Sequence, residues 1–300
     1  MKTDNAAVDV VILTFGNFAG LERTINSVLA QTLPIRTVML SDDGSGRVFP
    51  EETVDRLRKG PFDVVVRQGK TNLGTVAHAN QAVGQLSGRY VKLMATGDAF
   101  ADTQSLRSLV DFAKVQRTLV VTSDCTVCDG ELQKRFYRFP GPRRGKCFDS
   151  KGNALFSALA IANVVSAAGT LIHRDFFTEY GGFDEAYHLL EDWPAWLRLS
   201  REGHSLPYLP RVTALYAIGG VSSGNSNAFR APQLREDMAL CYEKEIMPYF
   251  DKLTAHARSR VRYGYACVAG MPEERMRRTF PLQYTQDQVK RWLKGCITGR

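Results

Sequence analysis

Short apolar runs that each end on a polar or acidic residue, separated by stretches of helical period, constrain this chain more than any other feature. Val10 to Leu13 is apolar throughout, as a strand buried on both faces requires. Leu21, Ile25, Val28 and Leu29 follow at helical spacing, and Pro34 stops that helix. The same pattern predicts strands at Thr37 to Leu40, Val64 to Val66, Tyr90 to Met94 and Leu119 to Thr122. It predicts helices from Thr75 to Leu86, ending near Gly88, and from Ser105 to Val115. Strands alternating with helices predict an α/β fold with a mostly parallel, doubly wound sheet. Ligands in such sheets lie beyond the carboxyl ends of the strands. Thr14, Asp42, Asp43 and Asp98 all stand at or just past such ends, so one rim is expected to hold them.

The pattern changes downstream. Cys125 to Gly152, with its PGPRRGK, predicts a long loop. Val164 to His173 predicts a strand, followed by the GGFDE turn, a helix from Asp192 to Glu202 and a last strand from Thr213 to Ile218. That strand leads to GGVSSGNSN, and the chain after Pro232 reads as helix interrupted by Pro248, Pro272 and Pro281. The organisation expected is one α/β domain over residues 1–230, with halves meeting near 124 and 125, then a helical basic extension over 231–300.

Composition narrows the function classes. With 44% hydrophobic and 23% charged residues the chain is globular. The net charge of +8 points to an anionic partner. From Asp251 onward eleven lysines and arginines face four acids, so seven of those charges lie there. The nearly neutral body argues against a nucleic-acid groove across it. No run of about 18 apolar residues is present, and the N-terminus lacks signal-peptide order. Six cysteines are too sparse for a disulfide scaffold; the lone Cys125, Cys128 pair reads as structural thiols, and a cytoplasmic protein is expected.

Three acidic groups carry the candidate chemistry. In SDDGS, Asp42 and Asp43 can accept from a ribose hydroxyl or a pyrimidine N–H, or simply build an Asx turn. Asp98, after YVKLM, can hold a divalent cation or serve a turn. Glu191 and Asp192 precede WPAW; a carboxylate beside aromatic rings suits a general base, while a helix start favours acids for its dipole alone. No G-x-S-x-G frame and no P-loop occurs.

In order, VVILTFGN, LERTINSVLAQT, SDDGS, NLGTVAHANQAVGQLSGRYVKLM, GGFDE and EDWPAWLRLSREG resemble glycosyltransferase family 2, inverting enzymes of the GT-A (Rossmann-like) fold. The resemblance covers roughly Val8 to Ser223. It implies that Thr14, Phe15, Asp42, Asp43, Asn72, Gly74, His78, Thr96 and Gly97 bind a nucleotide-sugar, and that Asp98 is the ligand of Mn²⁺ or Mg²⁺. It further implies Asp192 as the base beside Glu191, with Trp193, Arg143 and Arg144 on the acceptor. Ala95, Thr96 and Gly97 stand where the family carries further acids, and His78 where it often carries Arg. The implied reaction moves a hexose or N-acetylhexosamine from a UDP-sugar to a hydroxyl of a lipid-linked glycan, undecaprenyl-diphosphate-borne, in bacterial surface polysaccharide such as O-antigen. The basic C-terminus, including Arg291, Trp292 and Lys294, suits an anionic membrane surface at the inner face. The competing readings are a nucleotidyltransferase and a non-enzymatic basic protein binding lipid or nucleic acid.

Overall fold

The computed structural model describes residues 8–16, 18–219 and 232–298, and in the last helix the side chains only to residue 290. GGVSSGNSN beyond Gly219, and the side chains of Arg291, Trp292 and Lys294, therefore lie outside the described residues.

Seven residues, Val8–Thr14, form β1, and their alternation supplies both layers of the fold. Val8, Val10 and Ile12 face one helical layer, while Val11 and Leu13 face the other. The first layer holds α1 (Leu21–Leu29), α2 (Glu51–Arg58) and α4 (Ser105–Gln116). The second is opened by α3 (Thr75–Gly84), whose Ala82 and Val83 pack on Val11 and Met39. Beside β1 run β2 (Thr37–Asp42), β3 (Asp63–Gln68) and β4 (Tyr90–Ala95), all parallel in the order β3-β2-β1-β4. Leu13 pairs with both Ser41 and Ala95, so three strands end level. A rim at their carboxyl ends follows from that register.

The second half of the sheet is mixed. Its strands are β5 (Ala99–Phe100), β6 (Val120–Cys128), β7 (Arg135–Phe139), β8 (Leu171–His173) and β9 (Tyr208–Ala217). β8 is antiparallel to β4 and to β6, β9 is parallel to β6, and β5 and β7 pair antiparallel with β9 and β6. Two expectations are corrected here. The loop expected over Cys125 to Gly152 holds the end of β6, the hairpin to β7, and the short α5 (Gly141–Gly145), because Val127, Phe136 and Phe139 share an apolar cluster. Only Leu171–His173 of the strand expected from Val164 is strand. Ahead of it, Ser166 caps a 3₁₀ turn over Ala167–Gly169, and apolar Val165 is buried without a ladder.

Helices α6 (Gly152–Ile161), α7 (Asp175–Thr178) and α8 (Asp192–Arg201) complete the second layer. The segment from Pro232 is helical, as its pattern predicts: α9 (Pro232–Cys241), a π turn, a 3₁₀ turn, α10 (Ala255–Val268), α11 (Glu273–Thr279) and α12 (Pro281–Thr298). It is not an appendage, since Cys241, Tyr242, Ile246, Ala257 and Val261 share one core with Trp193, Trp196 and Leu197 of α8. Cys125, Cys128 and Cys241 are buried free thiols. No helix among the described residues is long and apolar enough to cross a membrane.

A buried ion pair fastens the C-terminal segment to α8. Arg201 Nη2 lies 2.6 Å from Glu245 Oε2, and Nη1 donates to the Glu245 carbonyl at 2.7 Å. Removing one partner of a buried pair strands the other charge. Glu245→Ala is expected to destabilise the protein by about 3 kcal/mol, read from the urea midpoint.

Candidate active site

The rim is stitched together by its own polar residues. Thr14 Oγ1 donates to Asp42 Oδ1 at 3.1 Å, and the Asp43 N–H donates to the Thr14 carbonyl at 3.0 Å. Asp42 accepts the Ser45 N–H at 2.9 Å through Oδ2 and the Ser45 hydroxyl through Oδ1 at 2.5 Å, an Asx-type closure of the SDDGS turn. Asp43 reaches further: its oxygens accept the N–H groups of Leu73 and Gly74, each at 3.0 Å. Asn72 Oδ1 accepts the Gly74 N–H as well, at 2.9 Å. The Asn-x-Gly turn is thereby tied to the end of β2. Phe15 stands 57% exposed beside it, a free aromatic face on the rim.

His78 lies near the rim carboxylates of Asp42 and Asp43 but is not exposed on the rim. It is buried on α3 with Nε2 2.7 Å from the Ser41 hydroxyl. Burial holds its imidazole below its ordinary range; the Asp43 charge pulls the other way, and Arg67 reinforces the lowering.

Thr96, Gly97 and Asp98 form the turn after β4. Thr96 donates to the Leu13 carbonyl through its N–H at 3.0 Å and its hydroxyl at 3.2 Å. Thr24 of α1 holds the next two residues, accepting the Gly97 N–H at 3.0 Å and donating to the Asp98 carbonyl at 2.7 Å. Asp98 Oδ1 accepts the Ala217 N–H at 2.9 Å. Burial pushes the Asp98 carboxyl up to about 7, against the opposing pull of Ala217 and of Lys92. Lys92 is itself buried in β4, donating to the Ala168 carbonyl at 2.6 Å and the Leu93 carbonyl at 3.1 Å. Burial lowers its ammonium to about 8. Among the described residues no group of three or more His, Cys, Asp or Glu is placed so that it could hold a metal ion.

The second acidic station opens α8. Asp192 Oδ1 accepts the Trp193 N–H at 2.6 Å, and Oδ2 accepts Asn163 Nδ2 at 2.8 Å. Burial raises the Asp192 carboxyl above its ordinary value, with those donors opposing. Glu191 is half-buried, and burial together with the Asp192 charge pushes it up to about 8. Trp193 is corrected as an acceptor contact. Its indole is 3% exposed, donates to the Leu159 carbonyl at 2.8 Å, and packs edge-on against Tyr242. Arg143 and Arg144 of α5 line a hollow of about 570 Å³ with Tyr137, Arg138 and Pro142.

Two residues outside the sequence reading hold this station. Asn163 touches Asp192 directly. Asp237 of α9 sets Oδ2 against three successive N–H groups, those of His188, Leu189 and Leu190, at 3.0, 2.5 and 3.1 Å. A backbone nest filled by a distant carboxylate leaves no local sequence signal. Lys92 did leave one, a lysine inside an otherwise apolar strand.

The two stations meet at Gly74. Its N–H donates to Asp43, and a Cβ there would lie 2.5 Å from both Nδ1 and the carbonyl oxygen of His188. The strand-end rim and the loop that leads to Asp192 are therefore in contact.

A family model described as Glycosyl transferase family 2 matches residues 9–179. An uncharacterized glycosyltransferase of Bacillus subtilis (strain 168), YwdF, is 22% identical over 219 residues, 73% of this chain and 77% of that protein. The structure of S. aureus TarS 1-349 in complex with UDP-GlcNAc is similar at a TM-score of 0.61 and 14% identity, over 87% of this chain and 73% of that one. A mannosyltransferase from Pyrobaculum calidifontis, in complex with GDP-Man and Mn²⁺, gives 0.58 and 16% identity over 94% and 85%. The architecture they share with this chain is the GT-A fold.

The raised Glu191 carboxyl makes a signed prediction. Its folded pKa of about 8 lies above the ordinary carboxylate value, so the stability it contributes at low pH is lost as pH rises toward about 8. Melting temperature is expected to fall between about pH 5 and about pH 8, and Glu191→Gln to flatten that fall. An unchanged slope would mean that Glu191 is already ionised in the native protein.

Proposed function

The chain belongs to glycosyl transferase family 2 and is a glycosyltransferase; on that premise we propose that it moves a hexose or N-acetylhexosamine, with inversion, from a UDP-sugar to a hydroxyl of a lipid-linked glycan acceptor. The observation that carries the reading is the buried, hydrogen-bonded Asp192 carboxylate at the start of α8, on a loop in contact with the strand-end rim. Asp192 takes the proton of the acceptor hydroxyl as its oxygen bonds to the anomeric carbon. The bond from that carbon to the diphosphate oxygen breaks on the opposite face, and the nucleoside diphosphate leaves with the electron pair. A carboxyl raised toward neutrality by burial suits that proton transfer better than one in water.

Support for the donor comes from the relatives: TarS is known in complex with UDP and with UDP-GlcNAc, the mannosyltransferase with GDP-Man. Phe15, exposed on the rim, suits stacking on the base, and the Asp42–Asp43 turn suits the nucleoside beside it. A divalent cation fits the residues present in one way. Mg²⁺ and Mn²⁺ are commonly held by one or two carboxylates with substrate phosphates and water, and Asp98 would be that carboxylate. Bound there, the ion neutralises charge on the departing diphosphate. On the acceptor side, Arg143 and Arg144 offer two guanidinium groups at an open hollow, suited to phosphates of a diphosphate-linked lipid. The basic C-terminus suits the anionic inner face of the cell membrane, and on this reading the enzyme works in the cytoplasm, in surface polysaccharide synthesis.

A panel of UDP-hexoses, UDP-N-acetylhexosamines and GDP-mannose in a nucleoside-diphosphate release assay tests the donor class; release from GDP-mannose alone would overturn the UDP assignment. Asp192→Asn is expected to lower kcat by about 10²-fold or more while donor affinity in calorimetry stays within about twofold. Asp98→Ala is expected to abolish the difference in rate between Mn²⁺-loaded and chelator-treated enzyme. A response that persists would move the ligand elsewhere.

A further inference from the structure

Asn163 touches the candidate base directly, yet it lies in none of the short motifs that carry the resemblance. Its Nδ2 donates to Asp192 Oδ2 at 2.8 Å, and its Oδ1 accepts the Val165 N–H at 3.2 Å. The two contacts fix the amide's orientation. A flipped side chain would set oxygen against a carboxylate oxygen and NH₂ against an N–H, making both contacts repulsive.

The chain beyond Asn163 is pinned residue by residue. Val165 is buried, and Ser166 Oγ accepts the Gly169 N–H at 3.2 Å. Thr170 Oγ1 donates to the Ala167 carbonyl at 2.8 Å, and Lys92 Nζ to the Ala168 carbonyl at 2.6 Å. Ser123 Oγ donates to the Gly169 carbonyl at 2.9 Å, and a Cβ on Gly169 would lie 2.4 Å from the Ser123 carbonyl oxygen. Residues 163–169 thus form a strap anchored on β4 and β6 at one end, with Asn163 on Asp192 at the other.

We infer that Asn163 is the positioning residue of Asp192: together with the Trp193 N–H it fixes the plane of the carboxylate and leaves lone pairs for the acceptor hydroxyl. The inference rests on the reading of Asp192 as the base. An ionised carboxylate offers about four lone-pair sites, and these two donors occupy one on each oxygen. Asn163 acts through Asp192 and has no role in donor binding. A donor rather than a further acid suits this place, because Asp192 is already faced by the Glu191 carboxyl beside it and by the Cys241 thiol of α9. Asp237 and the Arg201–Glu245 pair lie beyond those two groups, and the Trp196 indole, one turn along α8, turns its N–H toward the Asp192 carboxyl and adds a weaker pull in the same direction as Asn163. A hydrogen-bond donor here favours the ionised base over the protonated one.

The test uses the full chain and reads kcat and donor KM against pH for the wild type, Asn163→Leu and Asn163→Asp, with Asp192→Asn as the reference. Asn163→Leu is expected to lower kcat by about ten- to a hundredfold, the loss of one hydrogen bond to a charged group. It should also move the acid limb of the profile up by about one pH unit, with donor KM within about twofold. Asn163→Asp keeps the shape of the side chain and is expected to shift the same limb upward, so the test survives if the leucine variant misfolds. An inactive Asp192→Asn together with an unmoved limb in the Asn163 variants overturns the inference alone. An active Asp192→Asn overturns the base assignment, and the inference with it.

Discussion

Asp43 sets both carboxylate oxygens on the N–H groups of Leu73 and Gly74, and the joining of the two halves of the fold depends on that contact. The register of the first four strands brings their ends level, but level strand ends make only half a site. Gly74 carries the connection across, because its missing side chain lets His188 approach. Its φ of 83° also lies in a region that L side chains rarely adopt. His188 then begins the run of three N–H groups that Asp237 collects. One carboxylate therefore anchors the turn after β2 to the start of α3, and a second anchors the following contact to α9. The C-terminal helices are part of the site's scaffold for this reason, whatever further role their basic surface has.

Buried charge is concentrated where the proposed chemistry occurs. Asp98 and Lys92 oppose one another beneath the end of β4, each displaced by burial toward its neutral form. Glu191 and Asp192 do the same at α8, with like charge rather than opposite charge as the added influence. Groups held near the point of protonation change state at little cost when a charged substrate arrives. Three of these four groups have fixed partners: Ala217 for Asp98, two carbonyls for Lys92, Asn163 and the Trp193 N–H for Asp192.

The first half of the fold was legible in the sequence because its elements are fixed locally. Apolar runs of strand length, Leu21 to Leu29 at helical period, and polar residues at strand ends all report on neighbours in the chain. Two short elements escaped: α2, eight mostly polar residues with Val54 and Leu57 as the apolar ones it buries, and β5, which is two residues long. The second half was less legible because its elements are fixed at a distance. Val164 to Gly169 is mostly apolar, as a strand can be, yet it is held by Lys92, Ser123 and its own turns. Trp193 sits next to the candidate base, but the helix turns it into the core. Asn163 and Asp237 act across 29 residues or more, so no window of sequence contains both partners.

The lone acid at the end of β4 is built into the backbone. Gly97 has φ 101°, where a side chain is strained whatever the space around it. Gly20, at the start of α1, comes so near that a Cβ on it would lie 2.8 Å from the Gly97 Cα. Thr24 then takes the Gly97 N–H and the Asp98 carbonyl, locking the turn in that shape. A side chain at position 97 would meet only the Ala217 side chain, at 3.6 Å, so the φ of 101° rather than a lack of room disfavours a second carboxylate there. Asp98 is thus the acid that this turn presents, and on the proposed reading it would hold the cation that neutralises the departing diphosphate, with the Lys92 ammonium as its nearby counter-charge.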